Sequence, residues 1–266
     1  MKKITIIGGD NRLKILKESL KEQGYYVDTL GLFEDDNASI SNSNVIILPV
    51  PSTKDGVNVF TPLTKKIIPL ELIEQAVSGE QLILSCNYSF ENKKCIDYGA
   101  FDSYALLNAV PTAEGAIKIA IENTPYTLWN SSALVIGYGR VGKILADRLK
   151  KLGCDVTITA RKPSDLALAE AFGFSYINTE HLNLKKLDYN IIYNTVDVNL
   201  LNENTLKTLN CDLYIELSTK GGFDFSKSDE YSIKVIKAPG LPSKIAPETA
   251  ANILCKTVTH IINSYN

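Results

Sequence analysis

The chain is poor in the residues that most often move protons. It has two histidines, His181 and His260, in 266 residues. One begins a surface-type helix and the other lies inside the terminal helix, so a histidine-dependent hydroxyacid dehydrogenase is disfavoured. The five cysteines (Cys86, Cys95, Cys154, Cys211, Cys255) are scattered, odd in number and without a CxxC. That pattern argues for a reducing compartment and against a disulfide framework or a zinc site, so no metal is expected. No apolar run is long enough to span a bilayer. Charge is nearly balanced, at 28 basic against 30 acidic residues. With no long basic run and no aromatic–basic interleaving, nucleic acid is not an expected partner. The opening residues turn into Gly8, Gly9 and Asp10 too soon for a signal peptide and read as a first buried strand. A soluble cytoplasmic protein with two ordinary cores is expected.

Gly137-Tyr138-Gly139-Arg140-Val141-Gly142 is the most informative stretch. An apolar run at 133–136 precedes it. Val141, Ile144, Leu145, Arg148, Leu149 and Leu152 then recur at helical spacing until Gly153. A strand, a glycine turn and a helix bring backbone N–H groups and the positive helix end to one point, where a pyrophosphate can bind. Gly137 permits the tight turn, Gly139 allows the phosphate to approach, and Gly142 lets helix and strand pack closely. The alternative is a tight turn with no ligand.

Residues 154–159 read as the next strand, ending about 20 residues past the first glycine, where NAD-preferring proteins usually carry an acid for the ribose 2′-hydroxyl. Here Ala160 is followed by Arg161, Lys162, Pro163 and Ser164. Arg161, Lys162 and Ser164 are suited to a 2′-phosphate, so NADP is favoured and NAD remains possible. A solvated basic turn is the competing explanation.

Strand and helix alternate throughout. Strands are expected at 4–7, 25–29, 45–48 and 81–84, with a polar loop at 35–43. Further strands are expected at 174–177, 191–195, 213–217 and 233–238, and a connecting helix at 111–123. The fold class is therefore α/β: a doubly wound parallel Rossmann sheet plus a second α/β, flavodoxin-like substrate domain. Residues 124–245 are expected to form the dinucleotide-binding domain. Residues 1–123 and 246–266 are expected to form a discontinuous substrate domain.

Ligands in such sheets lie outside the carboxyl ends of the strands. Asn194 and Thr195 end one strand and offer amide and hydroxyl groups to a nicotinamide. Ser218 to Gly222 end the next, and Pro239 to Lys244 form a stiff loop after the last. Glu114 is expected in the first turn of the connecting helix, facing the cleft. As a candidate acid or base it competes with the simpler role of stabilising a helix N-terminus.

These stretches together resemble the A subunit of bacterial dipicolinate synthase over essentially the whole chain. The resemblance is carried by Ile7-Gly8-Gly9-Asp10 with Arg12, by the segment from Asn108 to Ala116 (NAVPTAEGA), by the glycine motif, by Ala160-Arg161, and by the segment from Ala238 to Pro247 (APGLPSKIAP). Ser243 and Phe223 stand where the family pattern leads one to expect glycine and threonine. The resemblance implies NADP-linked oxidation, after dehydration, of 4-hydroxy-tetrahydrodipicolinate or dihydrodipicolinate to pyridine-2,6-dicarboxylate during sporulation, in the cytoplasm of the mother cell. It also implies the flavoprotein-like B subunit of dipicolinate synthase as partner, and homo-oligomers are expected as well. Arg12, Lys220 and Lys244 are the cations suited to the two substrate carboxylates, and Asp10 is a possible positioning or proton-accepting group. Which of them touches substrate stays open. So do two alternatives, a generic NADP-dependent keto or hydroxy acid reductase and a non-catalytic NADP-binding regulatory subunit.

Overall fold

Branched apolar runs form strands, and leucine stripes at helical spacing form helices, in the computed structural model, which describes residues 2–219 and 221–265. The first half contains β1 (Lys3–Ile7), α1 (Asn11–Glu22), β2 (Tyr26–Leu30), β3 (Val45–Ile47), α2 (Leu70–Ala76), β4 (Leu82–Ser85) and β5 (Cys95–Asp97). A long helix, α3 (Asp102–Asn123), leads into β6 (Ser132–Ile136), α4 (Arg140–Lys151), β7 (Asp155–Ala160), α5 (Pro163–Ala171) and β8 (Ser175–Asn178). Then come β9 (Ile191–Asn194), α6 (Glu203–Thr208), β10 (Leu213–Glu216), β11 (Val235–Lys237), α7 (Leu241–Ile245) and α8 (Pro247–Ser264).

Two compact units result, one formed by Met1–Asn108 with Pro242–Asn266 and the other by Ala109–Leu241. In the first, the strands lie in the order β2-β1-β3-β4-β5, all parallel. Ile4 and Ile6 join the core on one face of the sheet, while Ile7 and Ile46 join the core on the other. Burial on both faces explains why these strands are continuously apolar rather than alternating. Helix α8 closes this unit: Ile253, Leu254, Val258, Ile261 and Ile262 pack into one cluster with Leu13, Leu16 and Leu20 of α1.

The second unit has the order β11-β10-β9-β6-β7-β8, also all parallel. This is the doubly wound dinucleotide-binding order, with its reversal between β6 and β9. The expected α/β class, with two parallel sheets, is present.

Three local expectations differ from the structure. The connecting helix begins at Asp102 rather than Pro111, which lies inside it. Residues 102–110 keep good helix formers, so the helix extends through the proline at the loss of one N–H bond. Strand β5 was not anticipated, because its half-buried CID lacks an apolar run. The stretch expected as a stiff loop after the last strand contains the short helix α7, with Pro242 in its first turn.

Among the described glycines the closest approach is at Gly142, where an added Cβ would lie 2.1 Å from the Gly137 carbonyl oxygen. Gly142→Ala should therefore cost about 1–3 kcal/mol or more through overpacking against backbone. Gly79→Ala, with nothing within 4 Å of the new Cβ, should be near neutral. Urea unfolding of the two variants measures the difference.

Candidate functional site

Strand β6 ends at Ile136, and the chain turns at Gly137 with φ +98°. A side chain on Gly137 would collide with Thr195 Oγ1 and Val196, each 2.6 Å from the added Cβ. The turn is locked from both neighbouring strands. The Gly137 N–H donates to Thr159 Oγ1 at 3.0 Å, and the Thr195 hydroxyl and N–H both donate to the Ile136 carbonyl at 2.9 Å. Gly139 then caps α4, contributing no side-chain cap, and the first turn of α4 carries no acid. No atom lies within 4 Å of where a Gly139 Cβ would sit. The positive end of the α4 dipole thus faces open space, the arrangement that receives a phosphate.

A cleft of about 300 Å³ opens at this turn, lined among others by Gly137, Tyr138, Gly139, Arg161, Lys162 and Asp165. Val196, Val198 and Leu200 form an apolar wall. Tyr138 is almost buried, with its ring edge-on to Phe174 at 6.2 Å, and burial raises its pKa. Arg140 is exposed and Val141 half-buried at the start of α4. Arg161, Lys162 and Ser164 are all exposed at the junction of β7 and α5. The sequence reading missed one lining carboxylate, Asp165 in the first turn of α5. Its ion pair with Lys143 at 2.7 Å offsets the charge it brings to this basic corner.

The far end of the same sheet edge is organised differently from expectation. Asn194 is fully buried, and its amide nitrogen donates to both oxygens of Glu216 at 2.9 and 3.0 Å and to the Val196 carbonyl at 2.9 Å. The amide is therefore spent internally rather than offered to a ligand, because a buried carboxylate needs N–H partners. The Thr195 hydroxyl is likewise taken up as a donor to Ile136. Ser218 is half-buried, and its Oγ accepts from the Gly221 N–H at 3.0 Å. Lys220 lies outside the described residues. Glu216 ends a fully buried strand, which is the one signal in the sequence that could have singled it out.

In the first unit the order reverses between β1 and β3, beside Gly8, Gly9 and Asp10. This glycine turn is filled by its own chain. The Gly9 N–H donates to the Phe60 carbonyl at 2.8 Å, and a Cβ on Gly8 would meet that same oxygen at 2.7 Å. Asp10 and Arg12 are brought together as a bidentate ion pair, with Nε–Oδ1 at 2.9 Å and Nη2–Oδ2 at 2.8 Å. Arg12 Nη2 also donates to the Val50 carbonyl at 2.8 Å. Burial disfavours the Arg12 charge, but the hydrogen bond and charge of Asp10 outweigh that and raise its pKa. The neighbouring Cys86 thiol is pushed up to about 12 by burial, with the Asp97 charge adding to the effect, so it is held protonated.

Glu114 is in mid-helix rather than in a first turn, because α3 starts earlier than expected. It is exposed and pairs with Arg148 of α4 at 3.2 Å, in a groove that shares no lining residue with the glycine-turn cleft. Lys244 is exposed in α7, within the first unit. Among the described residues no group of His, Cys, Asp and Glu could hold a metal ion, and no helix is long and apolar enough to cross a membrane.

A doubly wound sheet, an open glycine turn and a flavodoxin-order companion unit define a two-unit α/β protein with a dehydrogenase-type dinucleotide-binding fold. D-lactate dehydrogenase of Escherichia coli shares that fold, at TM-score 0.65 and 15% identity, with 99% of this chain and 96% of that one covered. The relationship closes further on one group. The family model of the N-terminal domain of the dipicolinate synthase A subunit matches residues 3–100. The A subunit of dipicolinate synthase from Bacillus subtilis is 30% identical over 98% of this chain and 95% of its own length. The crystal structure of the dipicolinate synthase A subunit from Bacillus halodurans superposes at TM-score 0.87, with 26% identity and 98% and 97% of the two chains covered. The chain belongs to the family of dipicolinate synthase A subunits.

With both partners largely buried, the Asp10–Arg12 pair is expected to act as a lock on its turn. Arg12→Met should lower unfolding free energy by about 3–5 kcal/mol, as removal of one member of a buried pair does. A loss below about 1 kcal/mol in urea unfolding would show that the pair is not structural.

Proposed function

We propose that this chain is the nicotinamide-dinucleotide-dependent oxidoreductase subunit of a dipicolinate synthase, working with NADP in preference to NAD. The observation that carries this reading is the open backbone at Gly139, facing the N-terminus of α4. The reaction is oxidation, after loss of water, of a cyclic dicarboxylate of the tetrahydrodipicolinate type to pyridine-2,6-dicarboxylate. When bound, the dinucleotide supplies the hydride acceptor. Gly137, Gly139 and the first turn of α4 hold the pyrophosphate. Arg161, with Lys162 and Ser164, holds the 2′-phosphate, since no acid stands at the end of β7.

Aromatisation of the ring supplies driving force, so the protein's main task is to hold two carboxylates and orient the ring. Lys220 and Lys244 are proposed for the carboxylates. Arg12 contributes through its Nη1, which has no hydrogen-bond partner among the described residues. A second, flavoprotein-like subunit completes the enzyme, which acts in the cytoplasm of the mother cell.

A second reading is favoured by the engagement of Asp10 with Arg12 and of Glu114 with Arg148. On this reading the subunit is non-catalytic and binds NADP only to stabilise or regulate its partner. Purified protein, with and without the second subunit, is given the cyclic precursor and either cofactor and followed at the pyridine dicarboxylate absorbance. Product formed with matching reduction of the cofactor, by the subunit alone or only by the pair, supports the first reading, and product from the pair without cofactor reduction supports the second. No cofactor-dependent product under either condition rejects the oxidoreductase role.

Two variants test the cofactor site directly. Arg161→Ala should weaken NADP by roughly tenfold or more, about 1.5–3 kcal/mol for a charge-assisted contact, while NAD affinity stays unchanged. Equal affinity of the variant and the unaltered protein for NADP in titration calorimetry would remove Arg161 from the site. Gly139→Val should keep its unfolding midpoint, because the new side chain enters open space, and lose dinucleotide binding. Normal binding by that variant would leave the motif as a turn only.

A further inference from the structure

At the carboxyl end of β10, Glu216 is 2% exposed. Both its oxygens accept from the Asn194 amide nitrogen. Oε1 also accepts the Ser218 N–H at 2.8 Å, and Oε2 accepts the Gly222 N–H at 2.9 Å. No cation pairs with it among the described residues. Among the described residues the carboxylate is thus compensated by N–H donors, and both oxygens accept twice. Around it the segment after β10 is closed at every described N–H. Leu217 donates to the Asn194 carbonyl at 2.9 Å, Thr219 to Asp197 at 2.6 Å, and Gly221 to Ser218 Oγ. Gly222 leaves no room for change, since a Cβ there would lie 2.4 Å from Tyr214 Oη and 2.8 Å from the Asn194 amide nitrogen.

This carboxylate joins the ends of two adjacent strands, β9 and β10, next to the reversal between β6 and β9. A glycine-bearing segment has little intrinsic reason to hold one conformation. Here a single buried carboxylate ties down two of its N–H groups, those of Ser218 and Gly222. Burying a charge is costly, and an apolar residue of similar size would serve stability at least as well. What the charge adds is a fixed geometry.

We propose that Glu216 is the positioning residue for the nicotinamide end of the dinucleotide, acting through residues 217–219 and 221–222 and the turn at 194–196 rather than by touching the cofactor. The inference rests on the dinucleotide reading above. Glu216→Gln keeps the volume but sets an NH₂ group against N–H donors, so one loop contact must open.

The test compares binding of NADPH with binding of 2′,5′-ADP, which carries the adenosine end alone, and records the fluorescence of bound NADPH. In Glu216→Gln, 2′,5′-ADP affinity should stay within about twofold, while NADPH weakens about tenfold and its bound-state fluorescence enhancement falls. Unchanged NADPH affinity and fluorescence overturn the proposal. So does parallel weakening of both ligands, which would assign Glu216 to the fold. Absence of binding of either ligand to the unaltered protein rejects the dinucleotide reading itself and this proposal with it. If Glu216→Gln does not fold, amide hydrogen exchange of the unaltered protein decides. Slow exchange at Ser218 and Gly222 supports the pinned segment, and exchange at unstructured-chain rates overturns it.

Discussion

The distance between Gly142 and the Gly137 carbonyl is the constraint on which the second unit depends. Any side chain at Gly142 would push α4 away from the end of β6. The N–H groups of its first turn would then no longer converge on the space beside Gly139. Thr159 on β7 and Thr195 just beyond the end of β9 bond the same turn and hold the strand end in register with the helix. Three strands and one helix are thus fixed by a few hydrogen bonds and one close backbone approach, and the cleft follows from them. Glycine is needed at Gly142 for packing and at Gly137 for a positive φ, whereas at Gly139 no close neighbour among the described residues requires it. What sets Gly139 apart from Gly79, which also faces open space, is its place as the cap of α4.

The two units apply the same architecture in opposite ways. Each has a glycine turn after its first strand, beside the reversal of strand order. In the first unit the turn is plugged by the Phe60 carbonyl and locked by Asp10 with Arg12. In the second it is left open. Asp10 and Arg12, both candidates for substrate contact in the sequence, are engaged with each other in the first unit.

The strand–glycine–helix unit, the alternation of elements and the basic corner after β7 were legible because periodicity and backbone demands are local. Less local features were not. Proline at Pro111 reads as a helix start, yet the helix formers from Asp102 onward overrode it, and this moved Glu114 from a first turn to mid-helix. Asn194 looked available because an amide at a strand end usually is. Its partner Glu216 lies 22 residues away, and only the adjacency of β9 and β10 brings them together. Asp165 escaped notice for a related reason: its place in the cleft depends on how α5 leaves β7. Pairings between strands decide which polar groups are spent, and no spacing within one segment carries that information.

Helix α8 belongs to the core of the first unit but follows the whole of the second unit along the chain. During synthesis the apolar stripe of Leu13, Leu16 and Leu20 must wait for residues 253–262 before it is covered. At about 5–20 residues per second, the interval after residue 108 is on the order of 10–30 s. All of the second unit's strands emerge within that interval, so it is the unit able to finish first. A truncated or stalled chain would carry a complete dinucleotide-type sheet beside a companion with an uncovered face, the kind of surface on which chaperones and proteases act.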